Sequence, residues 1–148
     1  MLAAVTDCSG RLQAIHRTYL SGDGLSKAEV EPNKMTLGNV KGYSTHLRNA
    51  SKVLAVTEGI ETGLSVSYAT GIPTWAALSA GGIQNLILPP LPLASEVIIC
   101  ADHDNNSAGQ LAAQEAAQRW LAEGRKVRIS IPPRAGEDFN DLLRSVIS

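Results

Sequence analysis

The sequence predicts an α/β fold, a mostly parallel sheet flanked by helices and preceded by an N-terminal antiparallel β segment. Two near-continuous apolar runs, VLAVT (53–57) and VIICA (97–101), have the character of strands covered on both faces. From residue 53 onward such runs alternate with helical patterns, as parallel strands with right-handed crossovers require. Before residue 53 the chain is instead rich in turn residues and short alternating stretches. The expected organisation is 1–52 as a β-rich leading segment and 53–148 as the α/β domain.

In chain order, MLAAVTDCSG has no capping or start character, so the chain is expected to be a piece of something longer. Residues 10–31 read as antiparallel strands, with HRTYL before a strong SGDG turn and KAEVEP leading out. Residues 32–52 are rich in Gly, Asn, Ser and Lys without periodicity, and read as a connector or a short pair of strands. A buried strand over 53–57 ends in Glu58, and Gly59 and Ile60 turn the chain into a helix over 61–69 that stops at Gly71, with Pro73 beyond.

Residues 74–78 read as a short strand before SAGG, 83–88 as a short helix and PPLPL as an extended linker. After the strand over 97–101, Ser107 is the expected N-cap of a long helix. Its apolar stripe comprises Ala108, Ala112, Ala113, Ala116, Ala117, Trp120 and Leu121, with Gln110, Gln114 and Gln118 facing water. Gly124 ends it; a strand over 126–131 and a short helix within GEDFNDLLRS close the chain.

Composition narrows the function classes. At 148 residues, 44% hydrophobic and 18% charged, the chain is long enough for one domain with its own core. It has no apolar run long enough to span a membrane and no hydrophobic leader in residues 1–20, so a cytoplasmic location is expected. Two cysteines make no disulfide framework, and Cys100 reads as a small buried hydrophobe. Three scattered histidines and no CxxC argue against zinc. Residues 1–52 hold seven Lys/Arg against four Asp/Glu, a net +3; residues 53–148 hold six against ten, a net −4. A basic front beside an acidic centre suits a site where cations bridge to phosphate, although ordinary surface variation gives the same pattern.

In open parallel sheets, ligands bind outside the carboxyl ends of the strands. Glu58 and the pair Asp102 and Asp104 are expected at that edge, the two aspartates converging while His103 points elsewhere as a spacer. Carboxylates gathered there repel one another unless a cation joins them, and Mg²⁺ suits oxygen ligands, retained waters and phosphate. Solvated strand-end acids are the plain alternative for the DxD alone. Glu61, one helical turn on, either reaches the same cation or favours the helix N-terminus. Asp138 is either a further metal-facing acid or the cap of the terminal helix. Asn105 and Asn106 orient water or phosphate, or simply form a turn. Arg17, Lys27, Lys34, Lys41 and Arg48 are candidate contacts to nucleic-acid backbone, each equally readable as a solvated charge.

TEGIETGLS followed by IICADHDNNSAGQLAA resembles the Toprim domain shared by primases, topoisomerases and some nucleases. In that family a glutamate ends the first strand and a DxD ends a later one. The pieces RTYL, LG..KG and EDFNDLL resemble the Toprim-containing primases of phages, plasmids and other mobile elements. The likeness covers most of the chain, and the pairing of EG with DxD plus AG is fairly specific. Cellular primases carry an Asp four residues after the glutamate, where this chain has Thr62 beside Glu61. Two extra residues between the DxD and Ala108–Gly109 resemble the mobile-element branch.

The resemblance implies a Toprim-like, Rossmann-like fold with Asp102 and Asp104 binding Mg²⁺ (or Mn²⁺) and Glu58 as metal-facing acid or general acid/base. The activity it implies is nucleotidyl transfer by a DNA primase making primers on single-stranded DNA from nucleoside triphosphates, with further primase or primase-helicase domains as partners. Toprim nuclease or topoisomerase chemistry uses the same acids, although Tyr19, Tyr43 and Tyr68 carry no signature of a topoisomerase nucleophile. A haloacid-dehalogenase-like phosphatase needs its DxD on the first strand, which this chain lacks. A module that only binds metal and nucleic acid is the non-enzymatic alternative.

Overall fold

A computed structural model describes residues 1–24, 26–103 and 107–147. The elements in order are β1 (Leu2–Thr6), β2 (Leu12–Thr18), β3 (Lys34–Gly38), β4 (Thr45–His46), β5 (Val53–Thr57), α1 (Ile60–Thr70), β6 (Thr74–Ala76), α2 (Ala80–Asn85), β7 (Glu96–Cys100), α3 (Ala108–Ala122), β8 (Lys126–Ser130) and α4 (Phe139–Ile147). They build a three-stranded antiparallel sheet, β1-β2-β3, and a five-stranded sheet of order β4-β6-β5-β7-β8. In the larger sheet β6, β5, β7 and β8 run parallel, and β4 is an antiparallel edge. The expected mostly parallel sheet preceded by an antiparallel segment is therefore present.

The antiparallel sheet differs from expectation in its pairing. The partners of β2 are β1 and β3, while KAEVEP contributes one isolated bridge, Leu20 to Lys27. LAAVT brings Val5, fully buried opposite Ala14, whereas Val30 stays exposed and Pro32 has no N–H for a ladder. The turn between β1 and β2 is organised by Asp7. Its carboxylate accepts from the Ser9 and Arg11 amides, at 2.9 and 3.1 Å, and from the Ser9 hydroxyl, Arg11 Nε and Gln13 Nε2. The connector at 32–52 supplies β3 and the two-residue β4.

The main core lies between the large sheet and α2 and α3, built on Leu54, Val56, Trp75, Ile99, Ala113 and Trp120. Trp120 completes the buried alanine stripe near the C-terminal end of α3, but Ala108 and Leu121 fall outside it and are exposed. The helix turns ~100° per residue, so positions flanking a narrow buried arc rotate towards water. Ser107 occupies the N-cap position with φ 58° and makes no side-chain capping bond. The second helix begins earlier than the sequence suggested, because Ser79 Oγ accepts from the Gly82 amide at 2.9 Å and starts α2 at Ala80.

The opposite face of the sheet carries α1 and α4 over a smaller cluster of Ala55, Val66 and Cys100. Gly63 permits α1 to lie close: a Cβ there would sit 2.8 Å from Thr57 Oγ1 and 2.9 Å from Leu47 Cδ1. Burial and the neighbouring charge of Asp102 push the Cys100 thiol up to about 12, so it is an inert packing group. No described helix is long and apolar enough to cross a membrane.

Candidate functional site

Strands β5 and β7 are parallel neighbours, with Thr57 opposite Cys100 at their final residues. Adjacent strands lie about 4.8 Å apart, so Glu58, level with Ala101, and Asp102, one residue further, follow these two strand ends at the same edge of the sheet. Asp102 lines the polar cleft there, and Glu58 is not among its lining residues. Glu58 is half-buried, and its carbonyl accepts from the Leu78 amide at 2.8 Å. Asp102 is half-buried on the wall of a polar cleft. Asp104, Asn105 and Asn106 lie outside the described residues. His103 turns away, its Nδ1 2.8 Å from the Pro132 carbonyl oxygen, as expected of a spacer.

The polar cleft, about 560 Å³, is bounded by α1, α4, the Asp102 strand end and the segment joining β2 to β3. Glu61 and Asp138 both line it. The Glu61 carboxylate sits 3.6 Å from Lys27 Nζ and 3.9 Å from Lys34 Nζ. Burial opposes its ionisation, but its own amide and the ammoniums of Lys34 and Lys27 outweigh burial and leave the carboxyl below its ordinary value.

Asp138 caps α4 reciprocally with Asp141: Asp138 Oδ1 accepts from the Asp141 amide at 2.9 Å, and Asp141 Oδ2 from the Asp138 amide at 3.2 Å. Its other oxygen accepts from Thr62 Oγ1 at 3.4 Å, while Ser65 Oγ donates to Asn140 Oδ1 at 2.9 Å. Both bonds hold α4 against α1 and close one wall of the cleft.

Among the described residues, no three His, Cys, Asp or Glu side chains gather as a metal-ligand group. The acidic groups at this edge are nevertheless carboxylate oxygens beside hydroxyl and amide oxygens, with no thiolate or imidazole among the described residues that line the cleft. That donor chemistry fits Mg²⁺ or Mn²⁺ rather than a softer ion.

The basic candidates separate. Lys27 and Lys34 line the acidic cleft, and Arg144 joins them from α4. Arg144 was missed by sequence reasoning, although its spacing of four from Asn140 puts both on one helical face. Lys41 lines a second cleft at the same sheet edge. Arg17 lies on the outward side of β2, over the Tyr19 ring at 5.5 Å and against Met35 Sδ. Arg48 Nη1 donates to the Gly71 carbonyl, at the far end of α1 from Glu58, about 16 Å along the helix.

Residues 53–147 match the family model of the Toprim domain, and residues 1–47 match a domain of unknown function, DUF7146. Among curated proteins there is no match. Solved structures with the same fold include a DNA primase domain from Pseudomonas aeruginosa (TM-score 0.63, 20% identity, 97% of this chain and 46% of that chain). The primase fragment of the bacteriophage T7 primase-helicase protein gives 0.61 and 23%, covering 98% and 57%. A DnaG primase catalytic domain bound to ssDNA gives 0.64 and 21%, covering 97% and 48%. The chain thus spans about half the length of these primase structures. The family model matched over residues 53–147, more than half of the sequence, shows that the chain belongs to the Toprim domain family.

Proposed function

We propose that this chain is the Toprim portion of a DNA primase, catalysing Mg²⁺-dependent nucleotidyl transfer to make primers on single-stranded DNA. The observation that carries the reading is the position of Asp102 on the wall of the polar cleft just past the end of β7, the parallel neighbour of the strand that leads into Glu58. The primase fold shared with the solved structures supports it. In this reading residues 1–52 form a β-rich lead into the Toprim domain at 53–148, and the remaining primase or primase-helicase domains are supplied by more chain or by a partner. A cytoplasmic protein of a phage, plasmid or other mobile element fits the spacing between the DxD and Ala108–Gly109.

Asp102 and Asp104 would hold the cation, with Glu58 facing it; Mn²⁺ satisfies the same oxygen donors. When bound, the metal neutralises triphosphate charge and lowers the barrier to attack by a 3′-hydroxyl. The chain's own groups do the rest. Lys34 and Lys27 bring positive charge to the cleft wall where phosphate would lie, and Lys41 extends that charge towards nucleic-acid backbone. Glu58 stands at the strand end to orient the attacking hydroxyl and accept its proton. The hydrogen bond from Thr62 to Asp138 ties α4 to α1 along one wall of the cleft.

The test replaces Asp102 and Asp104 singly by Asn in the longest natural form of the protein. Primer synthesis with Mg²⁺ should fall at least a hundredfold with an unchanged melting temperature. Undiminished synthesis by either variant refutes the assignment. The same reactions, probed for nicking of plasmid DNA, separate polymerisation from Toprim nuclease chemistry.

A further inference from the structure

The second cleft at the sheet edge differs in kind from the acidic one. It encloses about 500 Å³, within the range of small-molecule sites. It opens where the chain leaves β6, and the strand order β6-β5-β7 sets β5, with Glu58, between its mouth and Asp102. The bond from the Leu78 amide to the Glu58 carbonyl fixes its wall directly to the candidate catalytic strand end.

Its polar groups are nearly all neutral: His16, Thr36, Asn39, Ser79 and Asn85, with Lys41 as the one charged side chain among its described lining residues. His16 is buried, its Nδ1 2.9 Å from Thr36 Oγ1. Burial and the Lys34 ammonium hold its imidazole below the ordinary value, so it meets a ligand as a neutral group. Asn85 Nδ2 donates to the Gly81 carbonyl at 2.7 Å, which leaves the Oδ1 acceptor for a ligand. Gly81 adds bare backbone, the nearest atom to a Cβ there being Ser79 Oγ at 4.0 Å. Neutral amide, hydroxyl and imidazole groups around open backbone suit a flat heterocycle with donors and acceptors on its edge, and suit a polyanion poorly.

We propose that this cleft is the nucleoside subsite, taking the base and sugar of a nucleotide whose phosphates lie in the acidic cleft, a deepening that rests on the nucleotidyl-transfer reading. A nucleotide spanning the two clefts would cross the end of β5, which Glu58 follows. Lys41 stands at the subsite's side of that path and Lys34 at the phosphate side.

Three probes test it by titration calorimetry on the intact protein: adenosine, Mg-ATP and Mg-tripolyphosphate. Gly81→Leu fills the cleft from a position with room for a side chain, and Asn85→Ala removes one polar group; melting curves check that both fold. The expected result is at least tenfold weaker adenosine and ATP binding by Gly81→Leu, a smaller loss by Asn85→Ala, and tripolyphosphate binding unchanged within twofold. Adenosine that fails to bind the parent protein at millimolar concentration overturns the subsite, as does adenosine binding that both variants leave intact. Failure of tripolyphosphate to bind the parent instead counts against the nucleotidyl-transfer reading, while the adenosine comparison still decides the cleft.

Discussion

Lys34 of β3 and Glu61 of α1 approach to 3.9 Å, and Lys27 approaches the same carboxylate to 3.6 Å. These pairs tie the antiparallel sheet to the Toprim domain across the mouth of the acidic cleft. All three side chains are more than a third exposed, so the pairs contribute at most about 1 kcal/mol to stability. Their consequence is positional. A carboxylate already facing two ammoniums is poorly placed to serve as a cation ligand, and well placed to hold Lys34 over the cleft. Glu61→Gln should therefore leave the Mg²⁺ dependence of synthesis within about twofold while raising KM for nucleotide more than it lowers kcat. A large rise in the Mg²⁺ requirement would instead make Glu61 a ligand.

Arg125 joins two segments that sequence reasoning treated separately. Its buried guanidinium donates to the carbonyls of Pro89, Leu93 and Ala94 at 2.8–2.9 Å, and its Nε to Glu123 Oε2 at 2.8 Å. The proline-rich linker before β7 is thus fastened to the turn after α3. Arg125→Ala leaves three carbonyls facing a void and should cost about 3 kcal/mol in urea unfolding. Arg125→Lys should recover less than half of that, since a single ammonium cannot span the fork. Full recovery by Lys would show that charge alone, and not the fork geometry, holds the linker.

What the sequence disclosed follows the range of the forces involved. VLAVT and EVIIC announce themselves because strands buried on both faces must be apolar throughout, and the alanine stripe of α3 is local periodicity. The pairing of β1 with β2 is a hairpin whose turn is held by the Asp7 side chain, and DCSG carries no standard two-residue turn signal that would announce it. The start of α2 was hidden because Ser79 caps the helix through Gly82, inside a stretch that reads as a glycine turn. Glu58 and Asp102 were legible as strand ends, but the Lys27 and Lys34 pairing with Glu61 required the folded chain. The second cleft was invisible for the same reason: His16 of β2, Asn39 after β3 and Ser79 and Asn85 at the two ends of α2 are far apart in the chain and form no motif.

His46 makes stability fall with acid in a defined window. Its ring stacks on Trp75, with centroids 3.6 Å apart and planes 7° from parallel, and its Nε2 is shielded from solvent without a hydrogen-bond partner. Burial lowers its pKa to about 4, and the Asp7 carboxylate offsets this only in part. In the unfolded chain the imidazole titrates near its ordinary 6.5. Above that value it is neutral in both states and the folded form keeps its full advantage. As the pH drops, the unfolded state takes the proton first, so stability is lost progressively from 6.5 down to about 4. His16, also lowered by burial, adds in the same direction. Between pH 7 and pH 5 the His46 contribution should be roughly 1–2 kcal/mol after allowance for its partial exposure, read as a shift in the urea midpoint. His46→Phe keeps a flat ring against Trp75 and removes the titration, so its midpoint should change less over the same interval. An equally steep profile in His46→Phe would assign the acid sensitivity to other groups.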